Sequence, residues 1–209
     1  MVAPTNCGIL EINRNRIPLE DAQTQMVEDA LKVGAQYILF IEDDTEPPPN
    51  TIVELTRVLE TAPDDVMAAG GIYSTRGEAP EPVVYLGPNS GSYWKWKAGD
   101  VFPCWCVGFG CLMIKTKVFE LMPKPWFKTL ETVEQVREYP DLFPHAFDQH
   151  CKKVGVSTDI FFYTKLAKMG YKVLAHGGVL AKHWDAQRNK AYTLPETSYP
   201  MQKEIAVEA

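Results

Sequence analysis

Residues 37–48 read Tyr-Ile-Leu-Phe-Ile-Glu-Asp-Asp-Thr-Glu-Pro-Pro, and no other stretch restricts the fold as much. An apolar run ends in three consecutive carboxylates, Glu42, Asp43 and Asp44, and then in prolines. Positions 37–41 are all apolar, which predicts a strand buried on both faces. The C-terminal ends of strands are where open α/β sheets bind their ligands. Three adjacent carboxylates repel one another, so a cation is expected to neutralise them. A hard divalent ion that carries phosphate is the simplest candidate. A solvated acidic turn closing the strand would account for the same residues.

The flanks of this strand alternate helix and strand. Pro18 suits a first helical turn. Ala22, Met26, Ala30 and Leu31 then recur at helical spacing, and Gly34 can end that helix. Asn50 can cap a second helix with Ile52, Leu55 and Leu59 on one side. Residues 66–69 are short and apolar, the next strand. This β-α-β-α-β order predicts a largely parallel sheet covered by helices.

The middle of the chain follows another pattern. Gly87-Pro88-Asn89-Ser90-Gly91 is a turn signal, and 83–86 and 92–97 on either side of it could pair as a hairpin. Trp94, Trp96 and Trp105 crowd this region; strand packing explains them better than sugar stacking. In Val-Gly-Phe-Gly-Cys-Leu-Met-Ile at 107–114 the glycines open a buried strand, where a backbone or ligand approaches closely. Phe119 and Leu121 continue onto a short helix that Pro123 stops. Residues 124–155 are irregular, as functional or mobile connections are. Ser157-Thr158-Asp159 then opens a helix with Phe162, Leu166 and Met169 at helical spacing, and Gly170 ends it. Short strands at 172–175 and 179–181 follow, then His183-Trp184-Asp185 and a polar tail.

Composition excludes several classes. A chain of 209 residues with 45% apolar and 23% charged residues is an ordinary globular domain. We read one domain over 1–190 and a loosely held tail over 191–209. No apolar run approaches the ~20 residues of a membrane span. No signal peptide is visible, and a cytoplasmic location is expected, that of the host if the gene is a phage's. A net charge of −6 argues against strong binding of nucleic acid through its phosphates. Five irregularly spaced cysteines, Cys7, Cys104, Cys106, Cys111 and Cys151, fit reduced thiols better than a disulfide framework. The spacing of Cys104, Cys106 and Cys111 matches no common zinc site.

Four blocks, in order, resemble the nucleotide-sugar glycosyltransferases of the GT-A fold, family 2 and similar small bacteriophage enzymes among them. They are ILFIEDDTEPP at 38–48, GGIYSTRGEAPEPVVYL at 70–86, VGFGCLMIKTKVFE at 107–120 and STDIFFYTKLAKMGYKVLAHGGVLAKHWD at 157–185. The resemblance implies a GT-A, Rossmann-like mixed α/β sheet, mainly parallel, flanked by helices and carrying a small antiparallel subsheet. It implies transfer of a sugar from a nucleoside-diphosphate donor, a UDP-sugar by preference, to an acceptor hydroxyl, with Mn²⁺ or Mg²⁺ as cofactor.

Residue roles follow from the same resemblance. Asp44 matches the last acid of the family's DXD metal motif and Glu42 the first, which touches metal or ribose. Asp43 lies between them and can serve either role. His183 matches the late histidine of the metal shell, and its imidazole favours Mn²⁺. Asp159 matches the general base of inverting members. Gly108, Phe109 and Gly110 match the segment beside the donor sugar. Arg14, Arg16 and Arg76 are candidate cations for the diphosphate, or else solvated surface charges. Val2-Ala3-Pro4-Thr5 stands where a remnant of the first strand would bring Thr5 to the nucleotide.

Two departures bear on these roles. Only 41 residues precede Glu42, less than the base-binding unit of relatives, so a partner subunit in a homo-oligomer could complete the site. Ser157-Thr158 also replaces the Gly-Glu common before the catalytic Asp. Two other readings stand beside the transferase: a GT-A remnant that binds nucleotide or sugar with little transfer, and a metal-dependent phosphoesterase.

Overall fold

The computed structural model describes residues 1–5, 7–14, 16–144 and 155–194. The tail beyond 194 and residues 145–154, which include His145, His150 and Cys151, lie outside the described residues.

Helix α1 (Leu19–Lys32) begins after Pro18, whose φ of −52° is already helical, and carries Glu20 and Asp21 in its first turn, where the macrodipole favours acids. It buries Ala22, Val27 and Ala30, and Gly34 at φ +68° turns the chain out. Strand β1 (Tyr37–Phe40) follows, then the short β2 (Thr45–Glu46) and helix α2 (Thr51–Thr61), which buries Leu55, Val58 and Leu59. Asn50 holds the N-cap position of α2 without a side-chain bond; Thr51 instead donates its hydroxyl to the Pro48 carbonyl at 2.8 Å. Every residue of β3 (Val66–Ile72) is buried.

Strands β4 (Val84–Tyr85), β5 (Val101–Cys104) and β6 (Cys106–Val107) come next. A 3₁₀ turn at Phe109–Cys111 leads into β7 (Leu112–Lys115) and helix α3 (Lys117–Leu121). Helix α4 (Val133–Arg137) is one turn long and starts with a capping box between Thr132 and Gln135. Helix α5 (Thr158–Lys168), strand β8 (Lys172–Leu180), β9 (Lys182–Asp185) and β10 (Lys190–Tyr192) complete the fold.

The main sheet has the order β1-β7-β3-β8-β5; β10-β9-β2 and β4-β6 form two small antiparallel sheets. Side chains alternate across the main sheet. Leu112 and Ile114 join one core with Phe40, Phe119, Phe127 and Phe162, while Cys111 and Met113 join another with Leu55 and Leu59 of α2. Helices therefore cover both faces of a mixed sheet, the α/β class that the sequence predicts.

Within that class the pairing differs from expectation. β3 and β8 are parallel, while β1 with β7, β7 with β3, and β5 with β8 are antiparallel. β1, β3 and β8 do run in one direction, as their β-α-β order requires. The chain then inserts β7 antiparallel between β1 and β3, so the hydrogen-bonded neighbours are mostly antiparallel. β1 is an edge strand, and only Phe40 of its four residues is buried, so it is not enclosed on both faces.

The hairpin between 83–86 and 92–97 is replaced by pairing of β4 with β6, although Tyr93 N–H still donates to Val84 O across the turn at 2.8 Å. The strands expected at 172–175 and 179–181 are one strand with an irregularity opposite Gly71 and Ile72. Residues 2–5 form no strand; Val2 donates to Pro49 O at 2.7 Å and Thr5 is exposed. Residues 191–194, expected in the tail, belong to the fold: β10 pairs with β9, and Tyr192 and Leu194 are buried. Trp96 is buried and stacks on Phe102, and Trp94 and Trp105 pack against the same core. Among the described residues no helix is long and apolar enough to cross a membrane.

Candidate functional site

The acidic motif follows β1 and is folded back by a tight turn in which Thr45 N–H donates to Glu42 O at 3.0 Å. The turn feeds β2, which pairs with β9 so that Thr45 lies opposite His183. Trp184 N–H donates to Asp44 O at 2.7 Å and locks this register. Two segments far apart in sequence are thereby held side by side.

His183 Nδ1 lies 2.7 Å from Ser74 O. A carbonyl only accepts, so Nδ1 donates to it and Nε2 is the nitrogen turned toward Asp44. His183 Nε2 lies 3.3 Å from Asp44 Oδ2. Tyr73 stacks edge-on against the imidazole with ring centroids 5.2 Å apart, which restrains the ring further. Arg76 Nη1 approaches the same Asp44 oxygen at 3.0 Å. Both partners are partly solvated, so this ion pair contributes only about 0–1 kcal/mol. The other Asp44 oxygen, Oδ1, is buried without a hydrogen-bond partner, as are Thr45 Oγ1 and Ser74 Oγ. All three belong to residues that touch or pair with His183, and unpartnered buried oxygens are rare enough to need a cause.

Asp44 and His183 fit a divalent ion: one carboxylate with a spare oxygen, and one imidazole with its tautomer set from behind by a carbonyl. Among the described residues, no group of three His, Cys, Asp or Glu side chains converges on one point, so Glu42 is not a third ligand beside them here. A metal that works on phosphates is commonly held by one or two protein ligands and completed by the substrate's oxygens.

Glu42 is a half-buried carboxylate of the group. Burial pushes its pKa up, and the charges of Asp44, Asp159 and Asp43 push it further, while His183 opposes them. Asp43 is exposed and belongs to the cluster through that charge. Asp159 sits in the first turn of α5, where it accepts the Ser157 hydroxyl and the Ile160 N–H. Its charge is felt at Glu42, Tyr73 and Tyr85.

The glycines of the third block are used for packing within the site. A Cβ on Gly108 would lie 2.1 Å from Tyr73 Oη, and one on Gly110 would lie 2.5 Å from Thr45 Oγ1 and 3.1 Å from Glu42 Oε2. The Gly110 N–H also donates to Tyr73 Oη at 3.2 Å. Phe109 is not a donor-facing residue. It is buried, with its ring 5.4–5.8 Å from those of Phe40, Phe127, Phe162 and Tyr163.

Of the three candidate arginines, Arg76 joins the cluster. Arg14 is paired with Asp29 of α1, a scaffold contact, and Arg16 is exposed at φ +61°. Thr5 has no strand to carry it to the cluster. Tyr73 and Ser74 are the site residues that sequence reasoning missed. Both lie in the second block, and the signal available was their place directly after the buried strand β3.

No protein-family model matches the chain, and no curated protein matches it. Among solved structures the fold is similar to that of A197 from STIV, with a TM-score of 0.51 and 14% sequence identity, over 91% of this chain and 82% of that one. At that identity the similarity concerns the fold alone.

Proposed function

We propose that this protein is a metal-dependent glycosyltransferase that moves a sugar from a nucleoside-diphosphate donor, a UDP-sugar by preference, to an acceptor hydroxyl with inversion. One observation carries the reading: the Asp44 carboxylate at the end of β1 is flanked by His183 Nε2 and Arg76 Nη1 and retains a buried, unpartnered oxygen. Asp159 adds a carboxylate at the start of α5 whose charge reaches the same cluster.

Asp44 and His183 would hold Mn²⁺ or Mg²⁺, which when bound would supply charge neutralisation for a leaving diphosphate. Arg76 adds a mobile cation for the same oxygens. Asp159 takes the proton of the acceptor hydroxyl as that oxygen bonds to the anomeric carbon and the sugar–phosphate bond breaks. Bonds from the Ser157 hydroxyl and the Ile160 N–H hold the Asp159 carboxylate at the start of α5. Gly108 and Gly110 let Tyr73, Thr45 and Glu42 close against one another behind the cluster.

A binding protein with little transfer is the second reading. It is favoured by residues 2–5, which form no strand to hold a nucleotide base. A thermal-shift screen of nucleotides and nucleotide sugars, with and without Mn²⁺, tests both. Stabilisation by a nucleoside diphosphate only when metal is present, followed by its release from the sugar donor, is the expected result. Stabilisation without turnover would favour the binding reading, and no shift with any nucleotide would remove both.

A further inference from the structure

Arg76 and His183 converge on one oxygen of Asp44. Arg76 Nη1 is 3.0 Å and His183 Nε2 3.3 Å from Asp44 Oδ2, while Asp44 Oδ1 is left buried without a partner. Position 183 is fixed: its ring is bonded behind to Ser74 O and packed against Tyr73, in a strand whose register is set by β2. Position 76 is built differently. Its backbone opens a short loop whose neck is tied by Thr75 N–H to Glu81 O at 2.7 Å and by Glu81 N–H to Thr75 Oγ1 at 2.9 Å. Beyond that tied neck the Arg76 side chain is 46% exposed and paired with Asp44. A long side chain on a pinned backbone can change partner at little cost to the fold.

We propose that Arg76 is an exchangeable counter-ion. It neutralises Asp44 while no metal is present, leaves that oxygen when a divalent cation binds, and turns to the anionic group that arrives with the cation. The inference rests on the donor-site reading above and deepens it. One cation leaves as another arrives, so Asp44 keeps a positive partner throughout. The released guanidinium is planar and forked, suited to two oxygens of a diphosphate at once. The same residue then opposes binding of the metal alone and favours binding of the metal with its phosphate ligand, which makes the two bind cooperatively.

The test is calorimetric titration of Mn²⁺ alone, and of UDP at saturating Mn²⁺, into the wild type, Arg76→Ala and Arg76→Lys. Loss of a half-exposed ion pair should let Arg76→Ala bind Mn²⁺ alone about two- to fivefold more tightly. Loss of charge-assisted bonds to phosphate should weaken UDP by about tenfold or more in the same variant. Arg76→Lys, which keeps the charge without the fork, should restore the weaker Mn²⁺ binding but only part of the UDP affinity. Equal or weaker Mn²⁺ binding by Arg76→Ala, with Mn²⁺ still bound by the wild type, would overturn the exchange and leave the donor-site reading standing. If neither protein takes up Mn²⁺ with or without UDP, the reading and the exchange fail together. The opposite signs of the two effects separate exchange from a merely structural role, which would move both affinities in one direction.

Discussion

Asp44 Oδ2 lies 3.3 Å from His183 Nε2, and the two meet because Thr45 and His183 are cross-strand partners in a small sheet apart from the main one. Strand pairing fixes Cα positions closely. The Ser74 carbonyl behind the imidazole fixes which nitrogen faces Asp44. The pair is thus oriented before any ligand arrives, and preorganisation of this kind is what a metal or phosphate site requires.

Removing either member should cost metal affinity. Asp44→Asn keeps the shape and hydrogen-bonding reach of the side chain but loses its charge. We expect it to abolish the Mn²⁺-dependent rise in Tm, and His183→Ala to weaken Mn²⁺ by at least about tenfold. Titration of Mn²⁺ into each folded variant measures this; wild-type affinity in both would dissociate the pair from metal binding.

Asp159→Asn should separate chemistry from binding. The amide can still accept the Ser157 hydroxyl and Ile160 N–H, so α5 should keep its start. Transfer should fall by about 10²–10⁴, the usual worth of a positioned base, while affinity for nucleotide with Mn²⁺ stays within a factor of about two. Single-turnover assays beside calorimetry give both quantities. Retained transfer would remove Asp159 from the catalytic role.

Phe109→Ala should destabilise the fold and leave the donor site's chemistry intact. The ring is enclosed by four other aromatic rings, and its loss should cost about 3–5 kcal/mol. Urea unfolding measures the cost. A variant of wild-type stability that binds nucleotide poorly would return Phe109 to the donor pocket.

His176 should make the protein acid-sensitive. It is buried in β8, its Nδ1 accepts the Gly178 N–H at 3.0 Å, and its Nε2 stands 3.5 Å from Glu54 Oε2. Burial lowers its pKa from the ordinary 6.5, with Arg57 acting in the same direction and Glu54 against it. The unfolded chain therefore takes up this proton at a higher pH than the native one. The stability linked to His176 is complete above 6.5 and is lost as pH falls from 6.5 toward the lower native value. Tm measured across this range should decline in the wild type, and the decline should be shallower in His176→Gln, whatever the variant's stability at pH 8. An equal slope in both proteins would assign the acid sensitivity elsewhere.

Local features of the fold were legible in the chain. Pro18 and Gly34 bracket α1, Gly170 ends α5, and the apolar run at 37–41 stops where the carboxylates begin, as these residues act on their own backbone or their neighbours'. The first cluster residue, Asp44, was legible because a charge run at a strand end is itself a local signal. Asp159 and His183 were legible only through the order of blocks in the sequence, since a helix-capping acid and a strand histidine are each ordinary alone. The hairpin expected across Gly87–Gly91 was wrong in its partner: β4 found β6, as the turn residues mark where the chain bends and not which strand it returns to.

By itself, then, the sequence determined the bounds of α1, α2 and α5, the α/β class, and an acidic edge after β1. Tertiary structure alone decided that β7 enters antiparallel between β1 and β3, that Phe109 is enclosed by rings instead of facing a ligand, and that Arg76 rather than Arg14 or Arg16 reaches Asp44. It also brought in Tyr73 and Ser74, whose roles exist only once β9 lies beside β2. The reason is physical. Periodicity and turn chemistry act over a few residues, whereas strand partners, ring packing and ion pairs depend on which distant segments share a surface. That choice is made by burial of the whole core and is not written at any one position.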